Sequence, residues 1–426
     1  MDDWVSQQAR SGPRRLAVSD GERELDYEEL DSAAAAAARR LAAAGVGEGD
    51  RVATSLPPGL DFAVLLHALP RLGAVLVPLN PAERERQLEV ARPRLVVDEP
   101  PAGAEADVPL RSDFDPDAVH SVIFTSGTTG EPAPVELTYR NHHASAMASA
   151  ERLGVDPGDR WLSPLPLFHV GGLAVLLRSA IYGTAALVHD GFDVERVRDA
   201  FESGSVSLAS LVPTMLSRLR DAGLGAAPAL RAILLGGGPA PAGLLDWAES
   251  AALPVMPTYG MTQTASQIAT AAAGERRARP LPGAELRIGD AGEILVRGPM
   301  VAPGAVAADG WLHTGDAGSL DADGLLTVHG RLKELIVTGG ENVAPAEVEQ
   351  ALLAHPAVAD VAVVGVPDPE WGEAVTAFVV TDGSTGAGEL TAWSRERLAG
   401  YKVPKRIESV SEIPRNPAGK VLRHRL

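Results

Sequence analysis

The 426-residue chain contains no cysteine, which excludes disulfides, thiolate metal sites and a cysteine nucleophile. Lysine is almost missing. Only Lys333, Lys402, Lys405 and Lys420 occur, so arginine carries nearly all the positive charge. There is no basic excess either: 38 basic residues face 56 acidic ones, for a net charge of −18. That balance argues against non-specific nucleic-acid binding, which depends on neutralising phosphates. The start, Met1-Asp2-Asp3-Trp4, lacks the basic-then-apolar character of a secretory signal. The longest apolar run, Val170 to Val188, is interrupted by Arg178 and by glycines, and reads as a buried helix and strand rather than a membrane span. These absences predict a cytoplasmic protein without membrane insertion.

What is present is a chain long enough for two or three domains and 45% hydrophobic, sufficient to build real cores. Leu30 to Ala44 is alanine-rich and stops at Gly45, as a helix would. Strand signals at 51–55, 74–78, 121–125, 208–212 and 230–235 alternate with helical patterns such as 60–71 and 194–203. Strands spaced by helices imply parallel βαβ units. Residues 281–330 read as a small β region of short strands between Gly/Asp turns, and a compact unit follows Arg331. The expected organisation is therefore α/β: a large N-terminal domain, 1–330, of parallel βαβ sheets plus a small β region, and a small α+β C-terminal domain, 331–426.

The segment Ser121-Val-Ile-Phe-Thr-Ser-Gly-Thr-Thr-Gly130 is an apolar strand running into small and hydroxylated residues. Consecutive backbone N–H groups in such a loop form a concave anion site, and Thr125, Ser126, Thr128 and Thr129 add hydroxyls beside Gly127 and Gly130. The Walker spacing G-x-x-x-x-G-K-[ST] is absent. Further strings follow in order: Gly236-Gly-Gly-Pro239, Thr258-Tyr-Gly-Met-Thr262, Trp311-Leu-His-Thr-Gly-Asp316, Gly330-Arg-Leu-Lys333, Gly339-Gly-Glu-Asn342 and Asn416-Pro-Ala-Gly-Lys420. Together they resemble the signature motifs of the adenylate-forming superfamily, over nearly the whole chain.

That resemblance implies the adenylate-forming fold with a mobile C-terminal domain, and ATP, Mg2+ and coenzyme A as cofactors and co-substrates. It implies phosphate binding by residues 125–130, and adenine beside Gly236, Gly237, Gly238 and Tyr259, flanked by Thr258 and Gly260. Asp316 would hold the ribose hydroxyls with Arg331, Lys333 would be the hinge, and Gly339 and Gly340 would line the path of coenzyme A. Thr262 and His169 would lie at the reacting groups. Lys420 would reach the acyl carboxylate and α-phosphate, where attack of one anion on another requires cationic stabilisation.

Two departures stand out. Similar loops continue with two lysines, but here the run is Gly130-Glu-Pro-Ala-Pro134. A carboxylate about 4 Å from a phosphate charge costs about 1 kcal/mol in water and more in a drier site. At the magnesium position stands Gln263 instead of glutamate, offering an oxygen without charge.

Pro164-Leu-Pro-Leu-Phe-His-Val-Gly-Gly-Leu173 and Tyr259-Gly-Met-Thr-Gln-Thr-Ala-Ser-Gln267 look most like the o-succinylbenzoate–CoA ligases of menaquinone biosynthesis. By that resemblance Arg178 anchors the benzoate carboxylate, with Ser266 and Gln267 as polar pocket contacts. A snorkelling or salt-bridged Arg178 is the structural alternative, and for His169 a packed core histidine. The expected activity is ligation of a small-molecule carboxylic acid to coenzyme A through an acyl-adenylate. A ligase for another aryl or short acyl acid and a weakly active or non-catalytic adenylate-binding protein remain the competing readings. The sequence leaves self-association into a homo-oligomer open.

Overall fold

The computed structural model describes residues 1–126, 131–415 and 421–426. It divides into two compact units that do not follow chain order. The first comprises Met1–Gly237, Ala248–Glu285 and Val296–Leu312; the second comprises Gly238–Trp247, Leu286–Leu295 and His313–Leu426.

Two sheets organise the first unit. The larger has nine strands, in the order Arg279–Pro280, Ser266–Thr270, Val255–Met261, Ala232–Leu235, Leu208–Leu211, Arg160–Ser163, Ala185–Val188, Leu16–Ser19 and Glu24–Asp26. Its middle strands are parallel, as the alternation of strands and helices predicts. The strands at both edges run antiparallel, because hairpins rather than helices join them. The other sheet orders Leu95–Val97, Arg51–Thr54, Val75–Pro78, Val119–Ser126 and Pro132–Thr138, with only the last pair antiparallel.

The alanine-rich helix spans Tyr27–Ala43 and starts three residues earlier than its composition suggests. Asp26 caps it by accepting from the Glu29 N–H, and Glu29 returns the bond to the Asp26 N–H, a reciprocal capping box. Its Ala34, Ala37, Ala38 and Leu41 lie buried on one face, at helical spacing. The next helix, Leu60–Ala68, gives way to a 3-10 turn over Leu69–Leu72. Pro70 has no N–H to continue the α pattern. As expected, Val170–Tyr182 is a buried helix and Ala185–Val188 a strand. No helix among the described residues is long and apolar enough to cross a membrane.

The second unit holds most of a four-stranded sheet ordered Glu285–Ile288, Glu293–Arg297, Leu312–Leu320 and Leu326–Arg331. It also holds a five-stranded sheet in which Gly372–Thr381 pairs with Ile336–Thr338, Val358–Asp368 and Arg406–Ser409. The helices Pro345–Leu353 and Ala387–Arg395 supply Val348, Leu352 and Leu390 to the core with Val361, Val363 and Val375. Residues 331–426 fall wholly within this unit.

Candidate active site

The strand Val119–Ser126 enters the anion loop as half of a hairpin, with Phe124 opposite Pro134 and Ser126 opposite Pro132. Thr125 donates its hydroxyl to the Ala133 carbonyl at 3.3 Å. Gly127, Thr128, Thr129 and Gly130 lie outside the described residues, as does Lys420.

Gly236 and Gly237 follow the buried strand Ala232–Leu235 at its carboxyl end, where ligands of open α/β sheets collect. The neighbouring parallel strand Val255–Met261 carries Thr258, Tyr259 and Gly260, then turns through Thr262–Thr264 into the antiparallel strand Ser266–Thr270. Thr258 Oγ1 donates to the Ala269 carbonyl at 3.1 Å and lies 3.0 Å from Thr270 Oγ1. Gly260 is required here. A Cβ at this position would sit 2.0 Å from the Ser266 carbonyl oxygen and 2.6 Å from the Gln267 Cα, and both are backbone atoms that cannot rotate away. The turn also contains two consecutive non-glycine residues with positive φ, Ala265 at 49° and Ser266 at 110°. Such conformations cost about 1–3 kcal/mol each and concentrate at ligand clamps. Thr264 is fully buried and its hydroxyl lies 2.7 Å from the Ser266 carbonyl and 2.9 Å from that of Met261.

Arg178 lies in the middle of the helix Val170–Tyr182 and is only 3% exposed, so it does not snorkel. Nor is it salt-bridged: among the described residues no carboxylate lies within ion-pair distance. Its Nη1 donates to Gln267 Oε1 at 3.3 Å, its Nη2 to Ser145 Oγ at 3.4 Å, and the guanidinium lies 5.5 Å from the Trp161 ring centre. Its Nε has no partner. Burial lowers its pKa, against the raising influence of Tyr182. A buried cation held only by neutral acceptors has donors left for an incoming anion. Gln267 is fixed from its other end, where Nε2 donates to Thr270 Oγ1 at 3.2 Å and Ser149 Oγ at 3.4 Å. Sequence reasoning named Arg178 and Gln267, which contact each other, and Ser266, but did not name Ser145, Ser149 or Trp161. Ser145 is 33 residues from Arg178, and a serine in an alanine-rich helix carries no local signal.

His169 occupies the N-cap of the same helix and is exposed, so the packed-core alternative fails. Its ring centre lies 4.5 Å from that of Phe168, and desolvation by the surrounding protein lowers its pKa, opposed by Glu83. A neutral imidazole at neutral pH follows.

Within the second unit, Asp316 is buried and its Oδ1 lies 2.9 Å from Arg331 Nε, the two facing each other across paired strands. Arg331 Nη1 also donates to the Thr314 carbonyl at 3.2 Å. Strand register thus brings Asp316 and Arg331 together. Lys333 lies in an exposed 3-10 turn directly after this strand. Gly339 and Gly340, with φ of 59° and 84°, form a left-handed turn that glycine adopts without steric penalty. The Gly339 N–H donates to the Trp371 carbonyl at 2.8 Å.

The AMP-binding enzyme model matches residues 5–106 and 83–305, and the AMP-binding enzyme C-terminal domain model matches 347–420. The chain belongs to the AMP-binding enzyme family. Its family relatives include the 2-succinylbenzoate–CoA ligase of Geobacillus kaustophilus, 42% identical over 100% of this chain and 97% of that protein. Another is the 2-succinylbenzoate–CoA ligase of Bacillus licheniformis, 39% identical over 100% of this chain and 99% of that protein. Among solved members, o-succinylbenzoate CoA synthetase from Bacillus subtilis in complex with its acyl-adenylate intermediate matches at TM-score 0.91 and 36% identity, covering 100% and 97% of the two chains. The same enzyme with ATP and magnesium matches at TM-score 0.92 and 36% identity, covering 100% and 99%. The fold is the adenylate-forming fold of this family.

The family implies magnesium. Among the described residues no group of three or more His, Cys, Asp or Glu side chains could cage it. Magnesium that arrives on nucleotide phosphates needs only one or two protein oxygens. Gln263 fits that demand. Its backbone carbonyl is taken by the Ala302 N–H at 2.8 Å, which leaves the side-chain amide oxygen as the neutral donor.

Proposed function

We propose that this chain is an ATP-dependent acid–CoA ligase that converts o-succinylbenzoate to o-succinylbenzoyl-CoA in menaquinone biosynthesis, in the cytoplasm. One observation carries the choice of acid. The buried Arg178 guanidinium has no counter-charge among the described residues, whereas a simple aryl or short acyl acid would bring only the carboxylate that reacts. A dicarboxylate brings a second one. The full-length relatives named as 2-succinylbenzoate–CoA ligases support the same acid.

In this reading the succinyl carboxylate attacks the α-phosphorus of ATP, pyrophosphate leaves, and the thiol of coenzyme A then displaces AMP from the acyl-adenylate. Residues 125–130 cradle the phosphates, with Lys420 neutralising charge on the acyl carboxylate and α-phosphate in the first step. Thr262 borders the phosphates, and Gln263 offers its amide oxygen to magnesium, which supplies charge neutralisation when bound. Gly236, Gly237, Gly238, Thr258, Tyr259 and Gly260 form the adenine site, and Asp316 with Arg331 grips the ribose. His169, neutral at working pH, lies beside the acyl group without adding a competing charge. Residues 1–330 act as the nucleotide and acyl domain, and 331–426 as the domain that swings about Lys333 to bring Gly339 and Gly340 to coenzyme A.

The test is CoA ligation with purified protein against a panel of acids, with and without magnesium. Magnesium-dependent thioester formation, with o-succinylbenzoate far ahead of monocarboxylic acids, is the expected result. A preference for a monocarboxylic acid would refute the substrate assignment. Absence of acid-dependent exchange of labelled pyrophosphate into ATP would refute the ligase reading itself.

A further inference from the structure

We infer that Ser145 is a positioning residue that aims the Arg178 guanidinium and sets the preference for a dicarboxylic acid. It does so by tying that guanidinium to the left-handed turn at Ala265 and Ser266. The inference rests on the reading of Arg178 as the carboxylate anchor.

Ser145 lies on the helix Tyr139–Leu153 and is 2% exposed. Its hydroxyl donates to the Ala265 carbonyl at 2.9 Å. A serine hydroxyl has a single proton, so once that proton points at Ala265 only lone pairs remain for Arg178 Nη2, 3.4 Å away. The polarity of the pair is therefore fixed by the turn. Gln267 is oriented in the same manner. Its amide N–H groups face Ser149 and Thr270, which leaves Oε1 for Arg178 Nη1. Both holds on the guanidinium are long and uncharged, so they direct the group without neutralising it.

The carbonyl that Ser145 grips belongs to Ala265, the first of the two positive-φ residues. The second, Ser266, has its carbonyl pressed against Gly260, a residue of the strand assigned to the nucleotide. One hydroxyl thus sets the anchor in register with the strand that holds the other half of the reaction. A ring carboxylate held by Arg178 would fix the aromatic end of the substrate while its succinyl carboxylate reacts.

The test compares o-succinylbenzoate with 3-benzoylpropionate, the same acid without its ring carboxylate, in Ser145→Ala and Ser145→Thr, each with and without Arg178→Met. Loss of a hydrogen bond to a charged group predicts that Ser145→Ala raises KM for the dicarboxylate about ten-fold or more. The kcat should stay within about three-fold and KM for 3-benzoylpropionate should not move. Ser145→Thr, which keeps the hydroxyl, should recover most of the loss. On Arg178→Met the Ser145→Ala change should add less than about two-fold, because the group it aims is gone. Equal losses on both acids, or losses that simply multiply with Arg178→Met, would overturn the inference. So would a Ser145→Ala protein that cannot fold, which would make the hydroxyl a structural requirement of the turn. If Arg178→Met alone leaves the dicarboxylate preference intact, the anchor reading fails instead, and the two failures are distinguishable.

Discussion

Replacing Arg178 by Met separates a substrate anchor from a structural arginine, because the two roles predict opposite changes in stability. The side chain is 3% exposed and, among the described residues, meets two neutral acceptors, at 3.3 and 3.4 Å, and the Trp161 face. An unneutralised buried cation costs several kcal/mol after relaxation, and the ring offsets only about 1–2 kcal/mol of it. Methionine fills a similar volume without charge, so Arg178→Met should melt no lower than the parent and is expected to melt higher. Activity should move the other way. A bidentate guanidinium–carboxylate contact is worth about 3–5 kcal/mol on truncation, which corresponds to about two to four decades in kcat/KM for o-succinylbenzoate. Turnover of 3-benzoylpropionate should change little. The assays are a thermal melt and CoA-ligation kinetics with both acids. A variant that loses stability yet keeps its preference for the dicarboxylate would show that the arginine serves the fold and that the reasoning is wrong.

Three further outcomes are expected. His67, His120 and His142 are fully enclosed, and burial lowers the pKa of His67 and His120 from 6.5 to about 3 and that of His142 well below its ordinary value. Since the unfolded chain binds these protons first, the stability contribution is complete above pH 6.5 and is lost as pH falls toward 3, at about 2 kcal/mol per histidine by pH 5. Both ring nitrogens of His120 lack partners, so His120→Phe should remove one histidine's share of the difference in urea midpoint between pH 7 and pH 5; an unchanged difference would count against it. Gly260→Ala should cost about 2–3 kcal/mol, because its Cβ meets the Ser266 carbonyl at 2.0 Å, and should weaken nucleotide binding measured by calorimetry. Lys420→Ala should slow adenylation about 10²–10³-fold while supplied acyl-adenylate still reacts with coenzyme A; equal loss in both half-reactions would remove the lysine from its assigned role.

The parallel middle of the large sheet was legible because strands such as 208–211 and 232–235 are short apolar runs set between helical patterns. The antiparallel edges were not, since Ser266–Thr270 and Pro132–Thr138 differ from the middle strands only in which partner they meet. Motif strings exposed Asp316 and Arg331, yet only strand register shows that they form a pair. Arg178 was conspicuous as a charge inside an apolar run. The groups that aim it were silent, because Ser145, Ser149 and Trp161 acquire their meaning from helix packing that brings distant positions together. The histidine cluster was hidden for the same reason: His67, His120 and His142 come from separate elements.

The hairpin at the anion loop has a thermodynamic consequence. Where similar loops have their two lysines, this one has Glu131 and Ala133, and where they have a glycine it sets Pro134 opposite Phe124. The Pro134 ring locks a backbone torsion that a glycine would leave free, before any ligand arrives. The neck of the loop therefore has less freedom left to surrender when a nucleotide settles into it. A lysine-bearing loop draws affinity from charge, which salt weakens; a proline-necked loop draws it from order already in place, which salt does not touch. Nucleotide affinity in this enzyme should accordingly vary less with ionic strength than a lysine-rich loop would allow.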